Sequence, residues 1–157
     1  MVEPVVDIIY DGPPRLDSYD GRILAELQAN ARVSIAELSR RVHLSQPAVR
    51  ERVLKLESAG VIRGYHAAVD LQALGYGIRA IVRLGRSDFP RVSRLVAKTP
   101  EVISAFNVTG EDSWVLEIAV TDVAHLDTVV SRFAAVAESS TAIILKAPRE
   151  HLPVAPA

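Results

Sequence analysis

The feature that most constrains the fold is a change in the spacing of apolar residues near residue 77. Before this point apolar residues recur every three or four positions, as in amphipathic helices, and after it four segments alternate as strands do. These segments are GIRAIVRLG, EVISAFNV, SWVLEIAV and TAIILK, which start at residues 77, 101, 113 and 141. Two stretches with helical spacing, DFPRVSRLVAK and VAHLDTVVSRFAAVA, follow the first and third strands. The predicted element order is therefore βαββαβ.

This order predicts a ferredoxin-like α+β domain over residues 77–150, with a four-stranded antiparallel sheet and both helices on one face. The strands, however, are apolar on both faces. One set of apolar residues comprises Val82, Phe106, Leu116 and Ile144. The other set comprises Ile81, Ile103, Val115, Ile143 and Leu145. Because two helices cover only one face, we expect a second copy of the chain to cover the other and form a homodimer.

Three short helices are predicted upstream of the sheet. Asp17 and Asp20 mark the start of the first, because carboxylates favour a helix N-terminus. Ser34 and Glu37 form a capping-box pattern at the start of the second. Gly60 stands where a left-handed residue would end the third. The local signals therefore agree on a three-helix domain.

Only three residues, His43-Leu44-Ser45, separate the second helix from the third. Ser45 is expected to cap the third helix, and Pro47 is tolerated in its first turn. Two helices joined so tightly form a helix-turn-helix, which places its second helix in the major groove of DNA. We predict a winged-helix-like DNA-binding domain over residues 15–63, followed by a linker at 64–76. Residues 1–14 form an N-terminal extension with a possible extra strand in VVDIIY, and residues 151–157 form a C-terminal tail.

The charge distribution is compatible with an anionic partner for the helical domain. The whole chain has a net charge of −1, yet residues 32–63 contain seven basic and three acidic residues, whereas residues 1–31 contain two basic and six acidic ones. A basic block in a nearly neutral protein is typical of a nucleic-acid-binding surface. A solvated helix surface is the alternative explanation, and charge alone does not decide between the two.

Candidate DNA contacts follow from the helical period. With Val49, Val53 and Leu56 facing inward, the third helix turns its opposite side and the flank at its start towards the groove. Gln can pair with adenine, Arg with guanine and Glu with cytosine, whereas other cations bind phosphates. The predicted DNA-binding residues are Arg32, Arg40, Arg41, Ser45, Gln46, Pro47, Arg50, Glu51 and Lys55.

Residues 16–147 resemble the leucine-responsive/AsnC family of bacterial and archaeal transcription regulators, also called feast/famine regulators. The resemblance rests on LDSYDGRILAELQANARVSIAELSRRVHLSQPAVRERVLKLESAGVIRGYHAAVDLQALG and on TGEDSWVLEI in the βαββαβ domain. It implies an N-terminal DNA-binding domain, a C-terminal domain that senses an amino acid or related metabolite, and dimers that often assemble into tetramers or octamer-like rings. His43 departs from the family pattern, which commonly has Gly there, and predicts a positive φ at some cost or a different turn.

The resemblance also places the effector pocket beside the turn NVTGEDSW. Gly110 lets the backbone approach a ligand, Asp112 can receive an α-ammonium group, and Trp114, where the family usually has Tyr, can border an apolar side chain. The implied pocket lies between neighbouring dimers, where two hydroxyl residues before the last strand add contacts. The predicted effector-binding residues are Thr109, Gly110, Asp112, Trp114, Ser140 and Thr141. Without the resemblance, an ordinary tight turn would explain the glycine and the aspartate.

Two other functions fit parts of the sequence. Certain haem-biosynthetic (sirohaem-type) decarboxylase subunits resemble the same family, and His66 and His125 are the residues that could serve a tetrapyrrole here. An architectural DNA-binding protein would use the same basic helices with little sequence preference. The intact basic helix-turn-helix favours a sequence-specific regulator over both.

Little in the sequence indicates catalysis or a bound cofactor. Ser-His-Asp, GxSxG, Walker and GxGxxG patterns are missing, so we expect a protein that is not an enzyme. There is no cysteine, and the four histidines lack metal-ligand spacing, so we expect neither a disulfide nor a zinc site. No apolar run reaches the roughly 20 residues of a membrane helix. The expected location is the cytoplasm, in association with the nucleoid.

Overall fold

The computed structural model describes residues 14–148 and 153–156. In chain order the elements are α1 (Ser18–Ala29), α2 (Ile35–Val42), α3 (Gln46–Ser58), β1 (Ile78–Leu84), α4 (Phe89–Ala97), β2 (Val102–Asn107), β3 (Trp114–Val120), α5 (Val123–Ala134) and β4 (Ser139–Ile143). They form two compact units, one containing the described residues up to 68 together with 153–156, the other containing 69–148. The strand expected in VVDIIY lies outside the described residues. None of the described helices is both long enough and apolar enough to cross a membrane.

The N-terminal unit is a three-helix domain built on one apolar cluster. Each helix contributes to this cluster, whose fully or nearly fully buried members are Ile23, Leu38, Val42, Val49 and Leu56. In the C-terminal tail, the Val154 backbone exchanges two hydrogen bonds, of 2.9 and 2.8 Å, with the Gln28 side chain of α1. Residues 59–77 contain turns but no strand, so the wing of a winged helix is missing from this segment.

The helix starts confirm most of the predicted capping. The Asp17 carboxylate accepts the Asp20 N–H at 2.9 Å, and the Asp20 carboxylate accepts the Asp17 N–H at 3.1 Å, which completes a capping box. At α2 the Ser34 hydroxyl accepts the Glu37 N–H at 3.1 Å. The reciprocal half of that predicted box does not form, because the Glu37 carboxylate accepts hydrogen bonds from arginines of α2 instead.

The turn between α2 and α3 has the predicted length, and of the two alternatives expected for His43 the structure shows the positive φ. His43 adopts φ 58° and ψ 48°, the left-handed conformation that glycine adopts at lower cost. The Ser45 hydroxyl accepts the Ala48 N–H at 3.4 Å. At the other end of α3, Gly60 has φ 68°, and the Val61 N–H donates to the Leu56 carbonyl at 2.9 Å, as in a Schellman motif.

The C-terminal unit has the predicted βαββαβ fold. Its four strands pair in the order β2-β3-β1-β4, and every pair is antiparallel. Alternate strand residues form a core with residues of both helices, so α4 and α5 cover the same face of the sheet. The buried members of this core are Ala80, Val82, Leu84, Val92, Trp114, Leu116, Ile118, Val120, Leu126, Val129 and Phe133.

Three residues, Phe106, Ile143 and Ile144, lie on a different face of the sheet from the one predicted. Val102 pairs with Ile118 but Ser104 pairs with Glu117, so a bulge inserts Ile103 as an extra residue. This reverses the alternation, and Phe106 faces away from the helices. Similarly, Ile143 pairs with Ala80 and therefore shares the helix-covered face. Ile144 follows Ile143 and bonds to Arg79, so it lies on the face of Arg79.

The last strand is also shifted relative to the prediction of residues 141–146. It runs from Ser139 to Ile143, and after it the Ile144 N–H still donates to the Arg79 carbonyl at 2.8 Å. Because the segment is apolar at successive positions, alternation alone does not fix its register. Pairing with β1 does, since it places Ser139 opposite Leu84.

The sheet face that α4 and α5 leave uncovered combines apolar residues with an ion pair. Phe106 is 58% exposed, while Ile81 and Val115 are half-buried. At the centre of this face, Arg79 on β1 bonds to Glu117 on β3, with an Nε–Oε1 distance of 3.1 Å. This surface is called the open face below.

Candidate DNA-binding helix and effector turn

The start of α3 presents the side chains predicted to read DNA. Burial of Val49 and Leu56 fixes the inward side of the helix. The predicted groove residues are all exposed, namely Gln46, Pro47, Arg50, Glu51 and Lys55. Three of them, Gln46, Pro47 and Arg50, line an open depression. The helix therefore offers a mixed polar and cationic surface at the end that enters the groove in helix-turn-helix proteins.

The arginines predicted to contact phosphates differ in their exposure and in the acidic residues that pair with them. Arg32 is exposed, and Arg40 bonds to Glu37 while its side chain remains 75% exposed. Arg41 instead bridges two acids, at 2.7 Å from Glu26 of α1 and 2.8 Å from Glu37. The hydrogen bonds from Arg41 to Glu26 and then to Glu37 raise the pKa of its guanidinium. Arg41 is thus partly a link between α1 and α2, a role that the sequence analysis did not anticipate.

Arg52 is a second link that the sequence analysis missed. Its guanidinium lies 2.7 Å from the Asp20 carboxylate and 2.8 Å from the Asp17 carboxylate, and so ties α3 to the start of α1. The pKa of Asp17 is lowered, first by the hydrogen bond from the Asp20 N–H and also by Arg52. The available signal was that Arg52 lies three residues after Val49 and four before Leu56, and so borders the buried side of the helix.

Leu54 is an exposed residue of α3 that the sequence analysis also left out. Its side chain is 59% exposed, the largest exposure among the α3 residues that are apolar and bulky. At about 100° per residue it lies about 140° around the helix from Val49. It therefore belongs to the same outward side as the predicted groove residues.

The turn between β2 and β3 has the backbone that the effector hypothesis requires. Gly110 has φ 116°, and both Thr109 and Gly110 are exposed. The turn is closed by the Val108 N–H, which donates to the Ser113 carbonyl at 3.0 Å. Asp112 is half-buried, and no group in residues 14–148 or 153–156 forms a hydrogen bond or ion pair with its carboxylate.

Trp114 directly follows this turn, and its side chain points into the core. It is the first residue of β3 and alternates with Leu116, so its ring points to the helix-covered face, where it is only 6% exposed. Phe89 of α4 stacks on it with ring centroids 5.1 Å apart. Its indole N–H is buried without a hydrogen-bond partner in the described part of the chain. The Trp114 side chain is therefore largely buried in the core and packs against Phe89.

The two hydroxyl residues assigned to the pocket lie within β4, not before it. Ser140 pairs with Arg83 and Thr141 pairs with Val82. Consecutive strand residues point to opposite faces, so Ser140 faces the open face and Thr141 faces the helix-covered one. One pocket on one face of the sheet can therefore include only one of them.

Comparison with known proteins agrees with both halves of this architecture. Residues 16–63 match the family model for a winged helix-turn-helix DNA-binding domain, and residues 80–154 match the model for the Lrp/AsnC ligand-binding domain. A relative from Mycobacterium tuberculosis, the HTH-type transcriptional regulator Rv2324, is 38% identical and aligns with 83% of this chain and 93% of its own. The chain belongs to the Lrp/AsnC family.

Solved structures of Lrp/AsnC regulators have the same fold. The transcriptional regulator NMB0573 of Neisseria meningitidis, in a complex with L-Met, superposes with a TM-score of 0.82 at 30% identity, covering 89% of this chain and 96% of its own. The feast or famine regulatory protein Rv3291c of M. tuberculosis, complexed with L-methionine, has a TM-score of 0.82 at 32% identity, covering 90% and 100%. The chain is thus a DNA-binding transcription regulator of the Lrp/AsnC type, as predicted.

The histidines give the haem-decarboxylase alternative no support in this Lrp/AsnC protein. The two ring nitrogens of His125 are already engaged, with Nε2 at 3.0 Å from Glu101 and Nδ1 at 3.2 Å from the Thr121 hydroxyl. The hydrogen bond from His125 is the main reason why the pKa of Glu101 is lowered. His66 is exposed in the linker. Among the described residues, no group of three or more His, Cys, Asp or Glu is placed to hold a metal ion.

Proposed function

We propose that this Lrp/AsnC regulator binds specific DNA sites through α3 and that an amino acid bound beside the β2–β3 turn changes its DNA affinity or assembly. The observation that carries the effector part is Asp112, a half-buried carboxylate without a partner in the described part of the chain. Its oxygens are not among the fully buried polar atoms of the described residues, so a cation can reach them from solvent and pair with them. The α-ammonium group of an amino acid is a cation of suitable size.

The ligand class is supported from two directions. Two solved relatives carry L-methionine, so an amino acid is the first class to test. In this chain, the positive φ of Gly110 brings exposed backbone next to Asp112, and exposed backbone N–H groups can bind the carboxylate of the same ligand. The predicted hydroxyl residues Thr109, Ser140 and Thr141 are all exposed, and Thr109 lies in the turn itself.

The DNA-reading role of α3 is proposed residue by residue. Gln46 and Arg50 carry the side chains that pair bidentately with adenine and guanine, and Glu51 can accept from cytosine. Arg32, Arg40 and Lys55 supply phosphate contacts, which fix the position of the helix without reading sequence. An architectural protein needs only phosphate contacts, whereas α3 also exposes Gln46, Arg50 and Glu51, which can pair with base edges. We therefore favour sequence-specific binding.

We also propose a homodimer that buries the open face of the sheet. Phe106, Ile81 and Val115 would lose solvent-exposed apolar area there, and the Arg79–Glu117 pair can enter the interface already neutralised. We also propose that dimers assemble into tetramers or octamers. Asp112 lies in the β2–β3 turn and not on a strand of the open face, so a second interface can form beside it.

The remaining predictions concern chemistry and location. The relatives named above are transcription regulators, and we propose that this chain likewise has no catalytic activity, no cofactor other than its effector and no structural metal. We propose that it acts in the cytoplasm, on the nucleoid, because its partner is double-stranded DNA.

A thermal-shift screen of the twenty amino acids, L-methionine first, tests the effector proposal. A ligand that binds only the folded state raises the unfolding temperature by mass action. The parent protein should respond to at least one amino acid, Asp112→Asn should lose that response, and Asp127→Asn, an exposed acid on α5, should keep it. An effector response that Asp112→Asn retains in full would contradict the assignment.

A further inference from the structure

The exposed side of α3 includes an apolar residue whose position is unusual. Leu54 lies about 140° around the helix from Val49 and about 160° from Leu56, using about 100° per residue. Since Val49 and Leu56 are the buried residues of α3, Leu54 points almost directly away from the domain core. Single exposed leucines are common on protein surfaces, so exposure alone does not indicate a binding role. What matters for Leu54 is its position on the side of α3 that is opposite the core.

Leu54 also continues a line of side chains from the start of the helix. Pro47 lies seven residues earlier and is therefore only about 20° away around the helix axis. Both residues are exposed, with Leu54 at 59%. Pro47 and Leu54 thus form an apolar stripe along the outward side of α3. Arg50 and Glu51, the proposed readers of guanine and cytosine, lie one turn before Leu54 on either side of this stripe.

The surroundings of the stripe determine what can cover it. Arg50 and Lys55 are exposed cations close to it, and residues 32–63 contain seven basic against three acidic residues. An apolar protein partner would have to remove these charges from water, whereas the phosphates beside a DNA groove are complementary to them. In the major groove, the C5 methyl group of thymine is the apolar feature that identifies a base pair.

We infer that Leu54 is a specificity-determining residue that contacts the methyl group of a thymine in each half-site. This inference rests on the proposal that α3 lies in the major groove. Leu54 would discriminate thymine from cytosine by an apolar contact, at a base pair beyond those read by Gln46 and Arg50. Hydrogen-bonding rules alone assign no base to a leucine, which is why the residue is missing from the predicted set.

The test removes the leucine side chain and the thymine methyl group separately and then together. An operator is first selected from random duplex DNA with the full-length parent protein. Each thymine is then replaced singly by deoxyuridine, which lacks only the methyl group, and dissociation constants are measured for the parent and for Leu54→Ala. At one thymine per half-site, deoxyuridine should weaken parent binding roughly four-fold, the loss expected for one buried methyl group.

The decisive result is the double change. Leu54→Ala should bind the unmodified operator at least roughly four-fold more weakly, with no further loss at that one thymine when it becomes deoxyuridine. Val123→Ala, which truncates a 65% exposed valine on α5, should bind like the parent. If the two losses add at every thymine, or if the selected site has no thymine under α3, the inference is wrong.

Two further outcomes separate this inference from the proposed function. If Arg50→Ala changes preference at one base pair while Leu54→Ala couples to no thymine, α3 reads DNA but Leu54 does not. If neither variant changes base preference, α3 is not the reading helix and both proposals fail. A Leu54→Ala protein whose assembly changes in sedimentation, without coupling to thymine, would assign the stripe to a second copy of the chain and overturn the inference.

Discussion

The two units of this protein differ in the surface that they expose to solvent. In the three-helix unit, the cations on α2 and α3 that point towards neighbouring helices are matched within the unit, Arg41 by Glu26 and Arg52 by Asp20. In the sheet unit, one whole face is covered by α4 and α5, and the open face keeps Phe106 58% exposed. The helical unit therefore pairs its inward cations internally and has a basic surface, whereas the sheet unit leaves apolar area exposed, which the proposed homodimer would bury.

The largest expected effect comes from breaking the open face. In the full-length protein, Phe106→Glu should abolish dimerisation, because it would place an unpaired carboxylate in the interface at a cost of several kcal/mol. Sedimentation measures the result. Val123→Glu, at a 65% exposed position on α5, should leave the assembly unchanged. A Phe106→Glu protein that remains dimeric would show that another surface joins the protomers. Ile143 offers no such test, since it shares the helix-covered face.

A smaller effect is expected inside the helical unit. Arg52→Ala should lower its free energy of unfolding by about 1 kcal/mol at neutral pH, because the link between α3 and the start of α1 is lost. Arg50→Ala on the exposed side of the same helix should change stability by less than roughly 0.5 kcal/mol. Thermal unfolding of both variants beside the parent provides the comparison, and equal losses would mean that the Arg52 link contributes nothing.

The link between Arg52 and the start of α1 also makes the stability of the helical unit depend on pH, and the sign of this dependence follows from Asp17. The folded-state pKa of Asp17 lies below its ordinary value of 3.8, so its contribution to stability is fully present above that pH. As the pH falls through the lower folded-state pKa, the contribution is lost. The difference between the parent and Arg52→Ala should therefore be constant at neutral pH and shrink below about pH 4.

The smallest effect concerns the turn between α2 and α3. His43→Gly should stabilise the helical unit by less than about 1 kcal/mol, since relief of the left-handed strain is partly offset by the greater freedom of glycine in the unfolded chain. His66→Gly is the matched control, because His66 does not have a positive φ and should gain nothing. Equal responses of the two variants in thermal unfolding would show that the strain at His43 is negligible.

What the sequence predicted well was local. The caps at Ser34 and Ser45, the acidic start of α1 and the left-handed Gly60 all depend on hydrogen bonds within a few residues, and the structure confirms each of them. His43 adopts the positive φ that was one of its two expected alternatives. The βαββαβ order was likewise readable from periodicity. These features depend on residues that are close together in the chain, so a single sequence is sufficient to predict them.

What the sequence did not predict depends on pairing between distant segments. A bulge at Ile103 turns Phe106 to the other face, and alternation within the strand carries no sign of it. The register of β4 is set by β1, which decides where Ser140 and Thr141 point. Trp114 looked available because it follows the effector turn, yet β3 pairing directs it into the core. These orientations depend on which strands pair and in which register, whereas the confirmed predictions depend on residues close together in the chain.

The central claim is that DNA reading and effector sensing use separate surfaces of the two units. Its most direct test is operator affinity with and without the amino acid found in the thermal-shift screen, measured for the parent and for Asp112→Asn. The account predicts that the two proteins bind the ligand-free operator equally well and that the effector changes DNA affinity or assembly only in the parent. A change in ligand-free affinity caused by Asp112→Asn, or an undiminished effector response in that variant, would contradict it.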